Sequence, residues 1–216
     1  SSHASQSDHR IIRKPESQSD SSNSSLSELR FFGDLSNSVS EDSRRRAKAI
    51  YQVRNSGPSA ELYQELRYLV GKFPDDGMTW LSYGVAAMSR NEAKTAIDAW
   101  TKAANYDESK EFALEALIQM SQRVAAWDKT IEFAEQMIQV NPYHTSAYAH
   151  LADAMYRMQR MNEALVAAKR AVELDPLSLV SYRVLIEAHR MQGDLEKSKE
   201  WGKTRDRVSE KLRQAR

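Results

Sequence analysis

Histidines, a run of arginines and many glutamate–lysine pairs are the residues in this chain that could do chemistry, and their spacing argues against most of it. His3, His9, His144, His150 and His189 include no two four residues apart, the helical spacing that would aim both imidazoles at one metal. His144 stands in an Asn-Pro-Tyr-His turn and reads as a surface residue. The absence of cysteine removes disulfides, thiolate metal sites and a thiol nucleophile together. There is no glycine-rich phosphate loop and no Gly-x-Ser-x-Gly elbow. The glutamate–lysine pairs fall at helical spacing, where solvated ion pairs are the ordinary reading. No enzyme activity, cofactor or metal is therefore expected. Arg44, Arg45 and Arg46 read as a solvated helix start, with Asp42 as its capping side chain, because no aromatic residues interleave and no second basic stripe lies one repeat away. A net charge of +1 gives no overall pull toward nucleic acid or an acidic membrane.

What remains is recognition, and the elements that would position it are helices. Along residues 145–178, Tyr148, Leu151, Ala152 and Met155 form one apolar stripe and Ala164, Leu165, Ala168, Ala171 and Val172 a second. Two stripes with one change of phase predict two amphipathic helices and a tight turn. Asp175-Pro176 then ends the unit, because proline restricts the residue before it and brings no amide hydrogen.

The unit recurs at a step of 34 residues. The column through Ala164 reads Leu62, Ala96, Thr130, Ala164, Ser198, and the column through Tyr148 reads Trp80, Leu114, Tyr148, Tyr182. The stop column reads Pro74, Glu108, Pro142, Pro176. Large apolar, small and proline keep their places, giving units at 43–76, 77–110, 111–144, 145–178 and 179–212. Trp80-x2-Tyr83-Gly84-x2-Ala87, followed by Ala96-x3-Trp100, resembles the tetratricopeptide repeat family, whose pattern is Trp-x2-Leu-Gly-x2-Tyr, Ala-x3-Phe and Pro. Tyr148-x2-Leu151-Ala152-x2-Met155 with Ala164-x3-Ala168 and Pro176 matches nearly as well. Unit 43–76 departs at Arg46, where a large apolar residue is usual, and unit 179–212 departs at Ser198, Gly202 and Arg205. The resemblance implies an all-α, right-handed α-solenoid of about five stacked helix-turn-helix units. Residues 195–215 are expected to be its polar C-terminal capping helix.

In this family the first helix of each unit lines the concave face, and the resemblance places a protein-binding groove there. On that mapping the early units contribute Met78, Leu81, Val85, Met88 and Phe112, and the later ones more polar positions such as Gln119, Asp153 and Tyr156. The groove is expected to be apolar early and polar late, with methionines that let it adapt to an apolar segment of another protein. The alternative is that these side chains pack against neighbouring helices. Family members that hold the C-terminal carboxylate of chaperones use Lys/Asn, Asn and Lys/Arg over three units. The corresponding frames here hold Ala47, Tyr51, Ser82, Phe112 and Ala116, or Leu81, Val85, Ala116, Ser146 and His150, or Glu115, Gln119, His150, Val180 and Val184. None supplies the cations, so a carboxylate-clamp partner is not expected.

Residues 1–42 are serine-rich and are expected to be a flexible segment, too poor in aliphatic side chains to offset their ordering entropy. Within them Leu26, Leu29, Phe31, Phe32 and Leu35 form an apolar island that fits a lid on the first helix pair, a motif for a partner, or an insert into the chain's own groove. No apolar run is long enough to span a bilayer, and the compartment is left open. The function expected is a non-catalytic scaffold or adaptor, an accessory or assembly subunit of a larger complex. A binding module cut from a larger enzyme is the alternative, favoured by the missing initiator Met and disfavoured by the polar last helix.

Overall fold

A computed structural model describes residues 39–215 of the chain, and the island at 26–35 lies outside them, as do His3 and His9. Every regular element is a helix: α1 (Glu41–Ser56), α2 (Ala60–Lys72), α3 (Gly77–Ser89), α4 (Ala93–Ala103), α5 (Asp107–Arg123), α6 (Trp127–Val140), α7 (Thr145–Arg157), α8 (Met161–Leu174), α9 (Leu179–Met191) and α10 (Leu195–Gln214). No strand occurs among the described residues. From α3 on, consecutive helices pair as hairpins, each second helix from α2 packs on the next hairpin, and the first helices α3, α5, α7 and α9 touch in succession; Ala49 of α1 shares a buried cluster with Leu62, Tyr63 and Leu66 of α2. This is an α-solenoid. The chain divides between Arg44 and Arg45, and the architecture belongs to the second unit, which runs from Arg45.

The repeat is written most plainly in the turns. Gly57, Asn91, Ala125, Gln159 and Gly193 all have positive φ, between 55° and 79°, and each stands 34 residues from the last. At Asn91 the chain makes two capping bonds, Asn91 N–H to the Met88 carbonyl (3.0 Å) and Glu92 N–H to the Ala87 carbonyl (3.0 Å). The same pair recurs at Ala125 and Ala126, at Gln159 and Arg160, and at Gly193 and Asp194. This double bond pattern satisfies the last carbonyls of a helix and reverses the chain. Only two of the five positions hold the glycine that adopts this conformation without cost.

Between hairpins proline sets the stop. Phe73, Asn141 and Asp175, each before a proline, have extended φ values of −125°, −138° and −135°. Glu108 stands where the fourth proline would be, Ala104 keeps a helical φ of −67°, and α5 starts at Asp107, a turn before the expected unit boundary at 111. Helix α1 likewise starts at Glu41, capped by Ser40, whose Oγ accepts from the Ser43 amide (3.1 Å); Asp42 lies inside the first turn and is not the cap. Arg46, the departure from the apolar pattern, lays its guanidinium 5.0 Å from the Phe73 ring centroid and reaches Asp76 at 3.1 Å. A charged residue thus covers apolar surface while keeping its head paired.

Small side chains let the helices approach. Ala96, Thr130 and Ala164 are fully buried and Ser198 nearly so, its hydroxyl donating to the Ile186 carbonyl (3.0 Å). Gly84 is a tighter case: a Cβ there would meet the Trp100 indole at 2.3 Å. The same two columns hold Ile118 with Ala134, where the larger side chain sits on the first helix instead, and Ala152 with Ala168, where both are small; all four are fully buried. On α10 the matching position is Gly202, where an added Cβ meets nothing within 4 Å.

Two outcomes follow for stability, both read by denaturant unfolding. Ala125→Gly is expected to stabilise by about 0.5–1 kcal/mol by relieving left-handed strain, and Gly193→Ala to destabilise by a similar amount. Gly84→Ala should cost about 1–3 kcal/mol in the parent by overpacking, yet become neutral or stabilising in a Trp100→Ala background. An equal cost in both backgrounds would refute the Trp100 contact as its cause.

Candidate functional site

The first helices bring part of the expected groove together. Val85 and Met88 of α3 line a cleft of about 470 Å³ with Ala116, Gln119, Met120 and Arg123 of α5 and with Pro58. Met78 lines a second cleft, of about 560 Å³, with Ala47, Ile50, Tyr51 and Arg54 of α1. The two clefts flank α3. Leu81 lies between them on that helix, half-buried; like Val85 and Met88 it packs on the core beneath. Phe112 stands 63% exposed. Tyr156 does not join them: it packs, half-buried, on the core of the later hairpins.

Beyond α5 the same face is polar, and its polar groups are engaged with one another across the helices. Glu115 of α5 meets His150 Nε2 of α7 at 3.5 Å and accepts from Gln119 (2.9 Å) and from the Ser146 hydroxyl (3.4 Å). His144 Nδ1 shares a hydrogen bond with that same hydroxyl (3.2 Å). One hairpin on, Arg183 of α9 donates to the buried Asp153 of α7 at 2.8 Å, with Arg157 at 3.7 Å. The His150 contact, with Gln119 assisting, holds the Glu115 carboxyl down from 4.5 to about 2. His150, Asp153 and Arg157 stand one 34-residue step on from Ala116, Gln119 and Arg123 of the early cleft.

His189 is a separate matter. It is buried in the last hairpin, neither ring nitrogen has a hydrogen-bond partner, and Asp194 lies 3.8 Å from Nδ1. Burial pushes its imidazole below the ordinary value, against the pull of Asp194. Stability therefore declines as pH falls below about 6.5, where the unfolded chain takes up a proton that the folded chain resists. Among the described residues no group of three or more His, Cys, Asp or Glu could hold a metal ion. None of their helices is long and apolar enough to cross a membrane.

Sequence reasoning missed a second kind of cleft, at the seam between the two helices of a hairpin. Leu151, Met155, Val166 and Ala167 line one of about 540 Å³. Leu117, Ser121, Glu132 and Phe133, each 34 residues earlier, line another of about 340 Å³. The 34-residue columns themselves were the signal that could have found it. Its recurrence marks it as a product of repeat packing, whereas the clefts flanking α3 are local to the first three hairpins.

A family model described as the bacterial transcriptional activator domain (BTAD) matches residues 84–175, less than half of the chain. No curated protein matches it. Among solved structures, MamA AMB-1 is similar with a TM-score of 0.68 at 16% identity, over 78% of this chain and 92% of that one. The MamA RS-1 ArsTM double mutant gives 0.69 at 15% identity, over 81% and 97%. A further crystal structure of MamA protein gives 0.70 at 17% identity, over 81% and 95%. At these identities the shared property is the fold.

The Glu115 contact carries a pH signature. Its carboxyl is lower in the folded chain than in the unfolded one, so its stabilisation is full above about 4.5 and is lost as pH falls toward 2. Thermal melts of Glu115→Gln should therefore lose less stability than the parent over that window, and identical losses would remove the cross-helix contact from the account.

Proposed function

We propose that this chain is a non-catalytic tetratricopeptide-type scaffold that holds an apolar segment of another protein against the first helices of its early hairpins. The observation that supports this is the contrast along one face. The polar side chains of α7 and α9 are spent on their neighbours, while Val85, Met88, Ala116 and Met120 border an open cleft. Phe112, four residues before Ala116 on α5, is a large exposed aromatic, the kind of side chain that anchors protein interfaces. Methionines at 78, 88 and 120 give the surface the adaptability that unbranched thioethers provide.

The name of the matched family model refers to transcriptional activation, and a role in a transcriptional assembly would be compatible with scaffolding. Direct nucleic-acid binding is not the reading supported. Arg45 makes a two-pronged contact with Glu65 (2.8 and 2.7 Å) and Arg46 pairs with Asp76, so these arginines are already neutralised. The residues 26, 29, 31, 32 and 35 remain a proposed second motif for a partner.

Affinity capture from the cells that make the protein tests the groove. The parent chain should retain a protein that the folded variant Met88→Glu with Phe112→Glu loses by tenfold or more. Equal retention by both would place binding elsewhere.

A further inference from the structure

The two clefts flanking α3 differ from the rest of the face in their charge. Together they are lined by three arginines, Arg46, Arg54 and Arg123, and by one carboxylate, Asp76. Asp76 is occupied: it pairs with Arg46 at 3.1 Å and accepts from the Thr79 amide at 2.9 Å as the cap of α3. Among the described residues no carboxylate stands within ion-pair distance of Arg54 or Arg123, and both are exposed. Elsewhere on this face the cations have counter-charges: Arg183 and Arg157 share Asp153, and Arg190 has Glu187.

From this charge pattern we propose that the occupant is a partner-protein segment in which acidic side chains alternate with apolar ones, its apolar side chains seated against Val85, Met88 and Met120 and its carboxylates paired with Arg54 and Arg123. This rests on the groove reading above and specifies it. Arg54 ends the α1 side and Arg123 the α5 side, so a segment crossing α3 meets a cation on each flank. A guanidinium at the edge of an apolar cleft is a strong partner for a carboxylate, because it offers a fork of donors and sheds water more readily than an ammonium. A basic segment would meet uncompensated like charge at both edges, which is how such a surface rejects the wrong partner. No C-terminal carboxylate is required, since both cations sit at the rim.

The test uses synthetic amphipathic peptides of one pattern, built from leucine with glutamate, leucine with lysine, or serine with glutamate. Binding to the full chain is followed by fluorescence anisotropy. The leucine–glutamate peptide is expected to bind about tenfold more tightly than the leucine–lysine peptide, with the gap narrowing as salt rises. Arg54→Glu with Arg123→Glu should reverse that order; both positions are exposed, and unchanged melting would show the variant folded. If the two leucine peptides bind the parent alike and Met88→Glu weakens both, the groove stands and the charge inference fails. If serine–glutamate binds as tightly as leucine–glutamate, or no peptide binds, the groove reading fails with it. If the chain alone is a dimer that the double reversal dissociates, the occupant is a second copy and the proposal is overturned.

Discussion

The indole of Trp100 lies so close to Gly84 that one added methyl group would stand 2.3 Å from its nitrogen, and the geometry of the hairpin depends on contacts of this kind. A solenoid has no central core; each hairpin must bury its apolar stripes against its partner helix and its neighbours. The side chains that do so differ from step to step. Columns 84 and 100 fill the hairpin seam differently at each step, glycine against tryptophan in one hairpin, isoleucine against alanine in the next, alanine against alanine in the third. The left-handed residue at each turn reverses the chain in the same way, and the first helices α3, α5, α7 and α9 touch in succession.

Much of this was legible because period and proline are local properties of a chain. The 34-residue columns anticipate the buried set: Leu62, Ala96, Thr130, Ala164 and Ser198 are all buried. Less legible were features decided by one missing residue. Without a proline at 108, nothing stops α5 from beginning a turn early, and a column containing one glutamate does not announce that. The turns were half hidden, because Asn91, Ala125 and Gln159 adopt a conformation that glycine alone would have advertised. Arg46 looked like a defect in the pattern until its contacts with Phe73 and Asp76 showed that its long stem and charged head serve two neighbours.

The clefts flanking α3 were legible as a row of residues and not as a shape. Met78, Leu81, Val85 and Met88 share a helical stripe, so their common face follows from spacing. Whether that stripe borders open space depends on how far α1 and α5 stand from α3, and on which polar side chains reach across. Those reaches do not follow the repeat: Glu115 meets His150 and Asp153 meets Arg183, offsets of 35 and 30 residues. A reading at a step of 34 cannot see them. They explain why the face is closed by its own pairs beyond α5, and why Tyr156 belongs to the later core while Gln119 belongs to the early cleft.

The central claim is that the face of the early first helices is the surface a partner covers, and methionine oxidation reads it directly. Met78, Met88 and Met120 are half-buried on the clefts flanking α3, whereas Met191 and Met158 are exposed at helix ends away from them (61% and 36%). Mild peroxide treatment of the purified chain and of the chain in extract of its own cells, compared by mass spectrometry, should show the first three protected in extract and the last two unchanged. Protection of Met191 and Met158 with unaltered oxidation of Met78, Met88 and Met120 would contradict the account.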